Sequence, residues 1–358
     1  FTATDVVLNQ GGNAALLATS IGKAKDIDDL VESSTRIPAL HRQLVRNGVS
    51  AAQIGETLSH MTDAITVRLL QFAEKQLGPP PVPYVWLAGG SQGRGEQSSH
   101  SDQDNALLIA NGMQAEHDDY FAEMARIVSD GLNACGFVYC PGDAMASNPK
   151  WRQPLANWLD YFDRWIITPE PMALMLSSIW FDLRPVYGEF SLFERMQERV
   201  LPKARGSQFF LAYMMSNAMQ HRPPLGFFRQ FVLVHDGQHD DTLDLKHTGI
   251  VPVTDIARVL ALAGGIDEVN TLKRLAVAAE KGLVSREMAE NLEDALELIS
   301  GLRVRHQAEQ IARGEQADNF LNPDDLSSLE RGHLKDAFRV IQTQQEVMMK
   351  RYGAENLR

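Results

Sequence analysis

Two aspartates, Asp102 and Asp104, follow a glycine-rich turn, Gly89-Gly90-Ser91-Gln92-Gly93-Arg94-Gly95, across a short polar loop. On an extended strand, side chains alternate, so residues two apart share a face. Two carboxylates on one face suit Mg²⁺, which takes few protein oxygens and completes its octahedron with phosphate oxygens and water. Mn²⁺ accepts the same oxygen set. A pair of such ions can stabilise both the attacking and the leaving oxygen of a displacement at phosphorus. Gly89, Gly90 and Gly93 open backbone conformations closed to other residues and let main-chain N–H groups approach phosphate oxygens. Ser91 adds a hydroxyl donor, and Arg94 adds a charged fork. Nucleotidyl transfer needs a triphosphate held, its charge neutralised and a hydroxyl aimed at the α-phosphorus. This run of residues offers groups for the first two needs.

The turn is of neither common phosphate-loop type. No Gly-Lys-Ser/Thr follows it, which excludes a Walker loop. Gly89, Ser91 and Arg94 occupy the three glycine positions of a dinucleotide fingerprint, and a second strand follows where a long helix should open.

The elements that must position these residues are legible in outline. Tyr84–Ala88 is a short apolar run bounded by turn residues, read as a buried strand, and 106–110 is a second. Glu116 to Ala134 reads as a helix and Phe137 to Tyr139 as a third strand, which together make a small mixed sheet. Ile54, Leu58, Met61, Ile65, Leu69 and Phe72 recur at helical spacing and give 13–77 an apolar helical face. Gly78-Pro79-Pro80-Pro81 stops it. The remainder is mostly helical. Thr168-Pro169-Glu170 and Asn322-Pro323-Asp324-Asp325 carry helix-start grammar. Leu334, Phe338, Ile341 and Met348, and before them Met288, Leu292, Leu296 and Ile299, form stripes expected to line a bundle core. Joints within the helical part are expected at 222–226 or 202–206.

The 358 residues and 44% hydrophobic content suffice for one large or two ordinary cores. A net charge of -12 argues against a nucleic-acid backbone as the main ligand. No apolar run approaches the roughly 18 to 20 residues of a membrane span, and no segment resembles a signal peptide. The cysteines, Cys135 and Cys140, match no zinc spacing and read as ordinary thiols of a reduced cytoplasm. The chain begins at Phe1, which reads as a fragment or processed form with regulatory modules missing upstream.

The segment from Gly89 to Asp104 resembles the signature of the DNA polymerase beta nucleotidyltransferase superfamily: a Gly-Gly/Ser turn, a gap, then Asp-x-Asp. The fuller Gly-Gly-Ser-Gln-Gly-Arg-Gly-Glu-Gln with Ser-Asp-Gln-Asp-Asn resembles a narrower bacterial family of nucleotidyltransferases. Its members often follow cyclic-nucleotide-binding and CBS domains, and they are relatives of the glutamine synthetase adenylyltransferase and the PII uridylyltransferase. The stretch from Lys246 to Ile256, Asn270 to Leu275, and Leu302 to Gln307 resemble helices of the adenylyltransferase's helical domain. The likeness runs from about residue 20 to the end.

The resemblance implies that Asp102 and Asp104 hold metal and that a third carboxylate comes from a later strand. By that order Asp143 is the candidate, and Asp182, in an Asp-x-Arg pattern before Pro185, is the rival. Gln103 and Asn105 stand where the superfamily has apolar residues, which makes the strand more polar and raises altered substrate choice. Asn148, Lys150 and Trp151 are candidates to face a base or acceptor, and Lys246 to reach a triphosphate. His235, His239 and His247 lie in an acidic stretch that reads as a surface loop, although the uridylyltransferase relatives carry a phosphohydrolase. Asp255 reads as a helix cap.

The fold expected is α+β. A helical region spans 1–80, a nucleotidyltransferase domain 81–205, and a helical substrate-binding domain 206–358. The helical bundle is expected to close over the nucleotide or hold the acceptor. The function expected is Mg²⁺- or Mn²⁺-dependent transfer of a nucleoside monophosphate from a nucleoside triphosphate to an acceptor. By resemblance the acceptor is a protein side chain. The alternative is a nucleotide-binding sensor in signal transduction. Neither nucleic acid nor membrane is expected as a partner.

Overall fold

The computed structural model describes residues 3–169, 178–226, 228 and 230–357. The chain is α+β and divides into two interleaved compact units. The first comprises 1–161, 182–197 and 311–314, and the second 162–181, 198–310 and 315–358. None of the described helices is long and apolar enough to cross a membrane.

In the first unit, four helices precede the sheet: α1 (Ala3–Lys23), α2 (Ile27–Ser34), α3 (Ile37–Arg46) and α4 (Ala51–Leu77). Ser50 caps α4 by accepting the Gln53 N–H at 3.3 Å, and Gly78 ends it at φ +88. Its stripe of Ile54, Leu58, Met61, Ile65 and Leu69 is buried. The chain then forms β1 (Tyr84–Ala88), a one-turn α5 (Gly90–Arg94) and β2 (Asn105–Ile109). Every residue of β1 and β2 is buried, which explains why they read as continuous apolar runs and not as alternation. β1 and β2 are antiparallel, with Tyr84 opposite Ile109 and Ala88 opposite Asn105.

Helix α6 (Asp118–Ala134) packs against α4. The next stretch corrects the expectation for Phe137 to Tyr139. It is no strand, and Val138 alone makes a parallel bridge to Asp102. The sheet is completed by two edges that periodicity did not announce. β3 (Arg152–Pro154) runs parallel to β2, and β4 (Arg184–Gly188) runs antiparallel to β1, giving the order β3-β2-β1-β4. Each edge strand contains a proline, which a central ladder would not accept. Helix α7 (Leu155–Ile167) is fixed to the sheet by the Trp158 indole N–H, which donates to the Leu107 carbonyl at 3.1 Å. Of the helix start expected at Thr168-Pro169-Glu170, Thr168 and Pro169 follow the end of α7, and residues 170–177 lie outside the described ones. Helix α8 (Ser191–Gly206) runs through Pro202, inside the joint expected at 202–206.

The second unit is helical: α9 (Gln208–Ala218), α10 (Val251–Gly264), α11 (Thr271–Glu280), α12 (Arg286–Ala312) and α13 (Ser328–Arg351). Leu292, Ile299, Leu334, Phe338, Ile341 and Met348 are buried, as bundle stripes should be. Two local expectations are corrected. Asn322 and Pro323 open only a 3₁₀ turn, and α13 starts after its N-cap Ser327, whose capping box with Glu330 satisfies two backbone amides. Asp255 is not a cap. It lies within α10, paired with Arg258, because the helix already starts at Val251 with Pro252 in its first turn.

Candidate active site

The β1–α5–β2 unit folds so that a backbone turn and a carboxylate touch. Past Ala88, Gly89 donates its N–H to the Asp104 carbonyl at 2.8 Å, which extends the β1–β2 ladder by one step. Gly90 then turns at φ +53, and a Cβ there would lie 2.1 Å from Asp104 Oδ2. Only glycine fits both that backbone and that approach. The Asp104 carboxylate therefore lies against the first residue of α5. Gly93 is needed for a different contact, since a Cβ on it would sit 2.3 Å from the Asp182 carbonyl oxygen and 2.7 Å from that of Ala88.

This geometry sorts the glycines expected to cradle phosphate. The N–H of Gly89 is engaged by Asp104, and that of Gly93 donates to the Gly89 carbonyl at 2.8 Å. In a helix beginning at Gly90, the N–H groups of Gly90, Ser91 and Gln92 have no acceptor one turn back. Those are the amides of the turn that the helix itself leaves without an acceptor.

Asp102 and Asp104 do share a face. One carboxylate oxygen of each and the sulfur of Cys140 all lie within 4.8 Å of one another, and this is the one such group among the described residues. Cys140, read from sequence as an ordinary thiol, is thus the third member of the site. Burial, then the charge of Asp104 and a hydrogen bond to it, push the thiol up to about 12. Two residues between and beyond the aspartates bring it there. Gln103 points to the opposite face, where its amide donates to the carbonyls of Ser129 at 3.0 Å and Phe137 at 2.8 Å. Asn105 Oδ1 accepts the Ala146 N–H at 2.8 Å, and its own N–H donates to the Ala144 carbonyl at 3.0 Å. The polar residues that seemed to speak of substrate choice hold the Cys140 loop on the edge of the site. Arg152, buried, adds hydrogen bonds to the carbonyls of Ala146 and Ser147.

Neither candidate for a third carboxylate joins this group. Asp143 is exposed in a turn at φ +54, where its carboxylate accepts from Asn148 Nδ2 at 2.8 Å and its carbonyl accepts from the Trp151 indole at 3.1 Å. Asp182 is fully buried and accepts from Arg94 at 2.7 Å. The Arg94 fork expected for phosphate is directed inward, to Asp182 and to Glu96 at 2.8 Å, with its side chain only 12% exposed.

A second ion pair lies beside the first, and sequence reasoning missed it. Arg184 donates to both carboxylate oxygens of Asp63 on α4, and to the carbonyls of Gln92 at 3.2 Å and Gly93 at 3.1 Å. Gln92 Nε2 also donates to Asp63 at 3.0 Å. The visible signal was the Asp-x-Arg pattern, in which the arginine matters as much as the aspartate.

The remaining candidates lie elsewhere. Trp151 is buried against Trp158 and Tyr161, with the Lys150 ammonium 4.6 Å above its ring. Lys246 belongs to the second unit, in a single π-turn ahead of α10, with its backbone N–H on Asp244. His239 stacks on Phe320 and pairs with Asp236, His247 pairs with Asp244, and His235 is exposed. Among the described residues these histidines form no metal-binding group.

Two family models match the chain. One, described as "Putative nucleotidyltransferase DUF294", matches residues 35–172, which hold β1, α5, β2 and Cys140. The other, described as "Putative nucleotidyltransferase substrate binding domain", matches residues 208–352. No curated protein matches the chain.

Proposed function

The chain belongs to the family of putative nucleotidyltransferases that these two models describe, and from that premise we propose that it moves a nucleoside monophosphate from a nucleoside triphosphate to an acceptor hydroxyl, releasing pyrophosphate. The observation that carries the reading is the convergence of Asp102 and Asp104 beside the Gly90 turn. Two carboxylates so close repel one another unless a cation lies between them. Their oxygens fit Mg²⁺ or Mn²⁺, which would supply charge neutralisation of the triphosphate. The chain's own residues do the rest. The N–H groups of Gly90 and Ser91 and the Ser91 hydroxyl hold phosphate oxygens next to the pair. The ion pairs under Gln92 and Gly93 keep that turn from shifting as charge moves. The second unit, whose family model is described as substrate binding, recognises the acceptor. With the chain's charge of -12, a protein side chain suits that role better than a nucleic acid.

The test is incubation of the full chain with labelled ATP, GTP, CTP and UTP and Mg²⁺ or Mn²⁺, beside the Asp102→Ala, Asp104→Ala variant. Pyrophosphate release lost in the variant is the expected result. Equal release from both would sink the proposal. A second reading has one observation in its favour. Among the described residues no third carboxylate joins the pair, which suits a sensor that binds the nucleotide without turning it over. Saturable binding with no pyrophosphate released would select it.

A further inference from the structure

We propose that Cys140 is the third donor of the Asp102–Asp104 site, so that the pocket takes a borderline-soft divalent cation of the Co²⁺ and Zn²⁺ class in preference to Mg²⁺. The inference deepens the metal-dependent reading above and rests on it. Three observations carry it. The sulfur and the two carboxylate donors lie within 4.8 Å of one another. A tetrahedral zinc-like ion has its sulfur ligand at about 2.3 Å and its carboxylate oxygens at about 2.0–2.2 Å, so donors on one ion stand about 3.6 Å apart. Binding would draw the three donors inward from the spread they have here.

The second observation is that the sulfur is placed there by built contacts. Gln103 and Asn105 are each almost fully buried, and both tie the Cys140 loop to the segment around the aspartates, just ahead of and at the start of β2. The segment leading into β2 thus carries two acids that converge and two amides that bond the Cys140 loop, and the amides bring the thiol round to the acids. The third observation is the placement of the rival carboxylates. Asp143 is held by Asn148, and Asp182 is held by Arg94. Where the resemblance leads one to expect an oxygen, the structure puts sulfur.

The consequence is chemical. Mg²⁺ is hard and binds oxygen, whereas thiolate selects softer ions. On binding, the thiol proton leaves to solvent and the sulfur lone pair forms the bond to the metal, with no change of oxidation state.

Co²⁺ is the probe, because thiolate ligation gives it a charge-transfer absorption that oxygen ligation does not. The full chain titrated with Co²⁺ should develop that band, and Cys140→Ser should lose it together with on the order of 10- to 100-fold in Co²⁺ affinity. Cys135→Ser should keep both. Cys140→Asp guards against a variant that merely misfolds. It should bind Co²⁺ without the band and favour Mg²⁺ more than the parent does. Co²⁺ bound at equal strength by the parent and Cys140→Ser, with no sulfur band in either, would overturn the inference. Pyrophosphate release measured on the same samples separates the two claims. A sulfur band without release upholds the donor and sinks nucleotidyl transfer, and release that depends on Asp102 without a sulfur band does the reverse.

Discussion

Two pairs of acids flank the short helix α5, and they live under opposite electrostatics. Asp63 and Asp182 each face an arginine, Arg184 and Arg94, at 2.8 and 2.7 Å. Asp102 and Asp104 face each other and a thiol. The residue type is the same and so is the helix, yet the first pair ties β4 and α4 to the turn while the second gathers negative charge at its mouth. A carboxylate bound to a guanidinium has its charge answered within the fold and serves as scaffold. Two carboxylates brought within reach of one another favour a bound cation. The contrast teaches that an aspartate's task here is set by what the fold places within its reach, an arginine in one pair and a second acid with a thiol in the other.

The comparison is sharpened first at the mouth. Asp104→Asn should reduce metal-supported pyrophosphate release by about 10³-fold, a typical cost of losing a group that stabilises transition-state charge. The same change relieves repulsion, so thermal unfolding should occur at an equal or higher temperature. A variant that unfolds would place Asp104 with the scaffold. The scaffold pair makes the opposite prediction. Asp182→Asn leaves Arg94 with its charge half answered in a buried setting and should cost about 3–5 kcal/mol in urea unfolding. If that variant kept its stability and lost only activity, Asp182 would be a working acid and the contrast would collapse.

Smaller effects probe the contacts between the two regions. Gly90→Ala would push a methyl group into the Asp104 carboxylate and should cost about 10²-fold in turnover, the scale of a 1 Å misplacement. Steady-state kinetics would show it in kcat more than in KM. Gln103→Leu removes the donor from two carbonyls, those of Ser129 and Phe137, and should cost about 1–3 kcal/mol. Amide hydrogen exchange would report it as faster opening across 137–146.

What was legible in the sequence was local. β1 is a compact apolar run, and Asp102 and Asp104 are two apart, a spacing that puts both on one side of an extended backbone even though β2 itself begins only at Asn105. The glycine turn was visible, but the division of labour within it was not. Gly93 fits because the Asp182 carbonyl passes beside it, and Arg94 reaches Asp182 across 88 positions of sequence. No periodicity carries information over such a span. β3 and β4 went unread because Arg152–Pro154 and Arg184–Gly188 are short, polar or proline-bearing, and only their neighbours make them strands. Cys140 was overlooked because thiol spacing was compared with zinc motifs built of cysteine and histidine. A site assembled from a strand and a loop has no such spacing to match.

The interleaving of the chain has a consequence for inheritance. Residues 162–181, coded amid the first unit, supply the second with buried Phe162, Trp180 and Phe181, and Phe181 packs on Phe210 at 5.3 Å between ring centroids. Recombination that cut the gene near residue 205 would deliver a helical half stripped of those aromatics. A helical half cut at that point would thus lose part of its own apolar core and not only its link to the sheet.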